Sequence, residues 1–275
     1  MKRTVLTGIL ALAAGVGALT AQSAQPAPAG QAAPAAQTGQ AAPATPRTKS
    51  PEEAAALKAL GAAQQAGDAD GIVKAAEDLL TRFADTQFKV QALTLEALAY
   101  NMKSDAVNEQ VTWGRVIAAD PNNIVANMKL GGIIARQVKD RDLDRDAQLA
   151  KAQQCVNTAL DGLKAATSPQ VAPLVAEAHY DLYLIAFTRA TANKTAGPEK
   201  YDPAIAELQI ASTTDPQQMS YQARLAYILQ TAGKNAESVA LCDKILANAD
   251  LNAAIKSYVT TVRAAAVKAA PPAAK

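Results

Sequence analysis

From Ser50 to Lys268 the chain reads as one helix after another, and no stretch alternates apolar and polar residues as a half-buried strand would. The helical segments run to about 12–20 residues each. Breaks fall at Ala66-Gly67-Asp68, Lys103-Ser104-Asp105, Asp120-Pro121-Asn122 and Ala232-Gly233-Lys234. Asp120-Pro121 and Asp215-Pro216 each close a helix, because proline disfavours helical geometry in the residue before it. Ser50-Pro51-Glu52-Glu53 opens the series: Ser50 caps the first turn, Pro51 suits the first helical position and Glu53 completes a capping box. Only 4% of residues are aromatic, while alanine recurs in almost every block of ten. Alanine loses no side-chain entropy in a helix and lets neighbouring helices approach closely. A chain so built folds as all-α.

The helices also repeat. Met219 to Asn252 forms one unit of about 34 residues, with Leu225-Ala226 and Leu229 on its first helix, Gly233 at the turn, and Ser238, Cys242 and Ile245 on its second. Val90 to Asn123 follows the same scheme with Leu93, Ala97 and Tyr100, then Trp113, Val116 and the closing Asp120-Pro121. Glu53 to Thr86 shares the Gly67-Asp68 turn, followed by Ile72, Ala76 and Leu79. A third unit opens with Leu130-Gly131 and Ile134 and carries an insertion before Ala152, Val156 and Ala159. The fourth has a long first helix, about Val171 to Ala192, a loop at Asn193 to Tyr201, and a second helix entered through Asp202-Pro203. Ala253 to Lys268 forms a final helix whose Lys and Arg residues suit a solvent-facing cap.

These positions resemble the tetratricopeptide-repeat (TPR) family over residues 53–268. The resemblance implies a right-handed α-solenoid of about five TPR-like helix pairs plus a capping helix. Small residues permit close helix contact, and large ones such as Trp113 fill the space between a unit's two helices. Glu109 departs from the pattern, standing where the family has a small residue. A non-repeating helical bundle is the structural alternative.

Residues 1–50 have different physics. Lys2-Arg3, the apolar run Val5 to Leu19 and Ala21-Gln22-Ser23 read as a cleavable signal peptide over residues 1–23. The apolar run is shorter than the roughly 18 residues a bilayer span needs. Residues 24–50 use little beyond Ala, Pro, Gln, Gly and Thr and read as a disordered linker. The expected helical domain is then 51–270, with a flexible tail at 271–275, and the expected location is the periplasm or outside the cell. No membrane span is expected after signal cleavage.

Chemistry-bearing motifs are scarce. The single histidine, His179, lies among Ala178, Tyr180 and Leu182 on a helix and reads as a packing residue. A zinc site built on several histidines is excluded, and no nucleophile elbow or phosphate-binding glycine loop occurs. Asp140, Asp142, Asp144 and Asp146 alternate like the opening of a calcium loop, but Arg145 and Lys151 stand where such a loop needs Gly and Glu. They are expected to form a self-paired loop capping a helix that begins near Leu143. Cys155 and Cys242 fall in second helices of different units and are expected to be separate buried thiols. With 27 basic and 25 acidic residues and no basic block, nucleic acid has no electrostatic footprint to bind. No cofactor or metal is expected.

What remains is a non-catalytic scaffold for a protein or peptide partner. In the family the concave face is lined mainly by the first helix of each pair. The resemblance therefore implies partner-binding positions at Asn101, Met102, Lys129, Arg136, Arg224 and Tyr227. Lys129 and Arg136 share one helix face, with Gly132 between them leaving room for a partner's backbone. Arg224 and Tyr227 share another, off the line of Leu225 and Leu229. A structural cell-envelope component that self-associates through its convex surface, and an enzyme whose site is assembled from scattered residues, are the alternatives.

Overall fold

The computed structural model describes residues 46–139 and 141–269. The signal segment, most of the linker, the 271–275 tail and Asp140 lie outside the described residues. Among those described, the chain forms eleven α-helices and no strand: α1 (Pro51–Ala66), α2 (Ala69–Arg82), α3 (Lys89–Met102), α4 (Ala106–Ala119), α5 (Ile124–Gln137), α6 (Arg145–Leu163), α7 (Val171–Ala192), α8 (Asp202–Thr214), α9 (Met219–Thr231), α10 (Asn235–Leu246) and α11 (Ala253–Ala269). A short 3-10 turn, Pro198–Tyr201, leads into α8.

Three of the turns inside pairs are built alike. Asp68 N–H donates to Ala63 O, Asp105 N–H to Tyr100 O and Lys234 N–H to Leu229 O, each reaching back five residues across 2.9–3.1 Å. This closes the orphan carbonyls of the first helix and requires a left-handed residue at its end. That residue is Gly67 (φ 66°), Ser104 (φ 59°) and Gly233 (φ 75°) in turn. Asp68 and Asp105 then cap the second helix, accepting from Gly71 N–H and Asn108 N–H. After α4, Asp120 binds Asn122 N–H and the Asn123 amide, and Asn123 caps α5 through Ala126 N–H. One local grammar thus recurs along the chain.

Packing follows chain order. Each helix packs on its predecessor, and beyond that α5 packs on α7 and α9 on α11. The core is correspondingly a series of shared clusters. Leu60, Ile72 and Leu79 join α1–α3; Leu93, Trp113, Leu130 and Val156 join α3–α6; Tyr183, Leu208 and Ile228 join α7–α9; Ala226, Cys242, Ile245 and Val259 join α9–α11. Burial shared only between neighbours is the mark of a solenoid and sets aside the non-repeating bundle. Gly131 lets α5 lie close on α6: a Cβ there would meet the Ala152 carbonyl at 3.0 Å.

Two carboxylates behave differently from expectation. Ser50 Oγ accepts from Glu53 N–H at 3.1 Å, but the Glu53 carboxylate does not return to Ser50. It is buried, accepting the Lys49 N–H and, at 2.6 Å, the Thr86 hydroxyl, so it ties the start of α1 to the end of the first pair. Glu109, the departure from the repeat pattern, is also buried. Its oxygens accept from Asn101 Nδ2 at 3.1 Å and Trp113 Nε1 at 3.3 Å, which satisfies a charge that a small residue would not carry.

Candidate partner-binding face

Close packing between second helices of successive pairs is absent among the described residues, whereas α5 meets α7 and α9 meets α11. First helices of successive pairs thus meet directly at these two steps. The site therefore begins with what α5, α7, α9 and α11 present there.

Between α5 and α7 lies an ionic seam. Arg136 Nη2 donates to Asp181 Oδ1 at 2.8 Å, and Lys129 Nζ lies 3.4 Å from Glu177 Oε1. The Asp181 side chain is 2% exposed while that of Arg136 is 47% exposed. Burial pushes the Asp181 carboxyl up to about 7, against the pull of Arg136 and Lys129 and with a further push from Glu177. Gly132 does not leave room for a partner: a Cβ there would stand 2.5 Å from Asp181 Oδ2. The space expected to receive a backbone is filled by this carboxylate.

Between α7, α9 and α11 the face turns aromatic. Ring centroids of Tyr180 lie 5.4 Å from Tyr183 and 5.3 Å from Tyr221, and Tyr227 lies 6.4 Å from Tyr258. The Arg224 guanidinium sits over the Tyr227 ring at 5.9 Å and the Tyr258 ring at 5.8 Å, with the Tyr180 hydroxyl beside it. Burial pushes the Tyr183, Tyr221 and Tyr258 hydroxyls above the usual tyrosine range. The Tyr258 oxygen is buried without a hydrogen-bond partner. Arg224, Tyr227, Tyr180 and Tyr258 are all partly exposed, so the set has both a packed floor and an open side.

Of the six positions implied by sequence, Arg224 and Tyr227 fall together in this aromatic set, stacked on each other rather than standing free. Lys129 and Arg136 fall in the seam and are already ion-paired. Asn101 is committed to Glu109, and Met102 beside it is 47% exposed at the end of α3. Tyr180, Tyr183, Tyr221 and Tyr258 join the set without any short-range sequence motif to mark them. Their signal was distributional: six of the seven tyrosines stand at residue 180 or later.

The remaining candidates for chemistry are accounted for by packing. His179 Nδ1 lies 2.6 Å from Glu207 Oε2, joining α7 to α8. Asp142 accepts the Lys139 N–H, Asp144 the Gln148 amide, and Asp146 pairs with Arg145. Helix α6 starts at Arg145, two residues later than expected, and Asp144 makes no side-chain cap. No cluster of three metal-binding side chains occurs among the described residues. Cys155 and Cys242 are both buried, unbridged and in different core clusters. No described helix is long and apolar enough to cross a membrane.

No family model matches the chain, and no curated protein matches it. Among solved structures, the MamA RS-1 ArsTM double mutant superposes with a TM-score of 0.55 at 13% identity, over 72% of this chain and 95% of that one. The fold is an all-α, tetratricopeptide-like helical repeat. TTC0263, a thermophilic TPR protein of Thermus thermophilus, gives a TM-score of 0.45 at 18% identity over 76% of this chain and 98% of that one. The assembly chaperone of RpL4 (Acl4) gives 0.46 at 11% identity over 78% and 97%. At such identities the likeness speaks to fold and not to function.

Proposed function

We propose that this chain is a non-catalytic scaffold that holds a protein or peptide partner on the first-helix face of its repeat, and that it works in the periplasm after removal of an N-terminal signal. The observation that carries the reading is the partly exposed Tyr180–Arg224–Tyr227–Tyr258 set, backed by Tyr221 and built from three successive first helices. Tyr and Arg are the residue types over-represented where binding energy concentrates, because they offer large contact area together with hydrogen bonds. The export half rests on Lys2-Arg3, the apolar run to Leu19 and Ala21-Gln22-Ser23.

The test is capture from periplasmic extract by the full chain and by an Arg224→Ala/Tyr227→Ala variant at matched levels of folded protein. Capture weakened about tenfold or more supports the face; unchanged capture contradicts it. N-terminal sequencing of the periplasmic protein should begin near Gln22 to Gln25, and a chain beginning at Met1 contradicts export.

A second reading has its own observation. Val107 and Val111 on α4 are 73% and 59% exposed, one turn apart on a second helix, and Gly114 next along that stripe faces open space. Such a stripe favours self-association through the outer surface. Light scattering over a concentration series separates the two, since only this reading predicts a mass that rises with concentration and falls back with Val111→Glu.

A further inference from the structure

Helix α7 outruns its neighbour. Arg136, one residue from the end of α5, pairs with Asp181, and α7 then continues to Ala192. The loop leaving α5 lies against this overhang and encloses a cavity of about 490 Å³, lined by Val138, Lys139, Arg141, Phe187, Thr188 and Thr191. Val138 is buried and Phe187 half-buried, which gives the cavity an apolar floor. Lys139 and Arg141 are exposed at its rim, and neither pairs with a carboxylate among the described residues. Next to this rim Leu143 stands fully exposed, at 106%. The loop holds it away from the cavity: Asp142 accepts the Lys139 N–H at 2.8 Å, Asp142 N–H donates to Lys139 O and Arg145 N–H to Asp142 O. The acids on either side of Leu143 hold no cation among the described residues, Asp142 being bonded to that backbone N–H and Asp144 to the Gln148 amide.

We propose that two copies of this chain pair through this patch, the Leu143 of each copy seated in the cavity of the other. A two-fold contact uses the same surface on both subunits, so that surface must complement itself. This one does, because an apolar knob and an apolar-floored hole lie side by side on it. The charges complement in the same way. When Leu143 of one copy enters the hole of the other, its flanking Asp142 and Asp144 arrive at the rim where Lys139 and Arg141 wait, and the reverse contact forms at the same time. Opposed charges at the edge of such a contact fix its register and add to its specificity. Both halves of the fit belong to one sequence, so a second copy is the occupant that satisfies all of them. The patch is small, and small interfaces are weak and transient; the pair therefore forms and dissociates with concentration. It shares no residue with the aromatic set or with the Val107–Val111 stripe, so the inference stands apart from the partner-binding reading.

The experiment is sedimentation equilibrium of the full chain, with the apparent mass moving from one copy toward two between about 1 and 300 µM. Leu143→Asp should weaken pairing about tenfold or more, whereas Val111→Glu should leave it unchanged. Arg141→Asp and Asp144→Arg should each abolish pairing alone, and an equimolar mixture of the two should restore it, since only the mixed pair matches every charge. That rescue separates recognition from damage to the fold. A second measurement traps the contact: Leu143→Cys/Thr188→Cys under a mild oxidant should link two chains, the native Cys155 and Cys242 being buried. A mass of one copy at every concentration overturns the proposal, as does pairing that survives Leu143→Asp or is lost with Val111→Glu. A bridge formed within one chain overturns it too, because Leu143 would then fill its own cavity.

Discussion

Arg136 on α5 donates to Asp181 on α7 across 2.8 Å, over a glycine whose missing side chain makes the approach possible. This bond joins the first helices of two successive pairs, so its strength bears on how firmly the third unit is docked to the fourth. Burial also displaces the Asp181 carboxyl toward its neutral form, and this gives the fold a pH dependence with a definite sign.

Because burial raises the folded carboxyl from 3.8 to about 7, the folded chain holds a proton that the unfolded chain has released. Stability from this group is complete below the unfolded value and is lost as pH rises through the folded one, a window of about 4 to 7 worth up to about 4 kcal/mol. Other carboxylates act oppositely: Glu53, Asp85, Asp105 and Asp243 are held below their usual range by hydrogen bonds, so they lose stability only in stronger acid. Thermal melting across pH should therefore peak on the acidic side of neutrality. Asp181→Asn should flatten the fall between about pH 4 and 7; an unchanged slope assigns it elsewhere.

Ser104 is the only non-glycine described residue in the left-handed region, at the position Gly67 and Gly233 occupy in their own pairs. A side chain there strains the backbone by about 1–2 kcal/mol, of which glycine's extra unfolded freedom returns about half. Ser104→Gly should raise stability by about 0.5–1 kcal/mol, read from denaturant midpoints. A loss of stability would show that the Ser104 side chain makes a favourable contact.

Trp113 is fully buried, and its indole N–H is one of two donor groups that satisfy Glu109. Trp113→Ala should cost about 3–5 kcal/mol for the cavity alone. Restoring a small residue in the background, as Trp113→Ala/Glu109→Ala, should cost less than the sum of the single changes, since the carboxylate and its donor leave together. Additive losses would mean the two are independent.

Burial raises both thiol pKa values, so neither cysteine should react readily in the folded chain. Denaturation without reductant should expose two titratable thiols. None, with a mass two hydrogens lower, would show a bridge.

The fold was legible because local rules and global packing agree. Ser50, Asp68, Asp105 and Asn123 cap helices, Gly67 and Gly233 turn them, and Asp120-Pro121 stops one, each through contacts within a few residues. The face was legible only in part. Helical spacing put Arg224 and Tyr227 on one surface, but it could not show that Tyr180 and Tyr258, far away in sequence, close around them. Nor could it show that Asp181 fills the space above Gly132, or that Asn101 is spent on Glu109. Those pairings join different helices and carry no short-range signature.

Site-specific photo-crosslinking in intact cells measures directly where a partner touches the chain. A crosslinking residue in place of Tyr227 samples the aromatic face, and one in place of Val111 samples the exposed stripe of α4. Partner binding on the aromatic face gives a discrete adduct with a second protein from position 227, none from position 111, and loss of the 227 adduct when Arg224→Ala is added. An adduct with another copy of the chain from position 111, with nothing captured at 227, would contradict it.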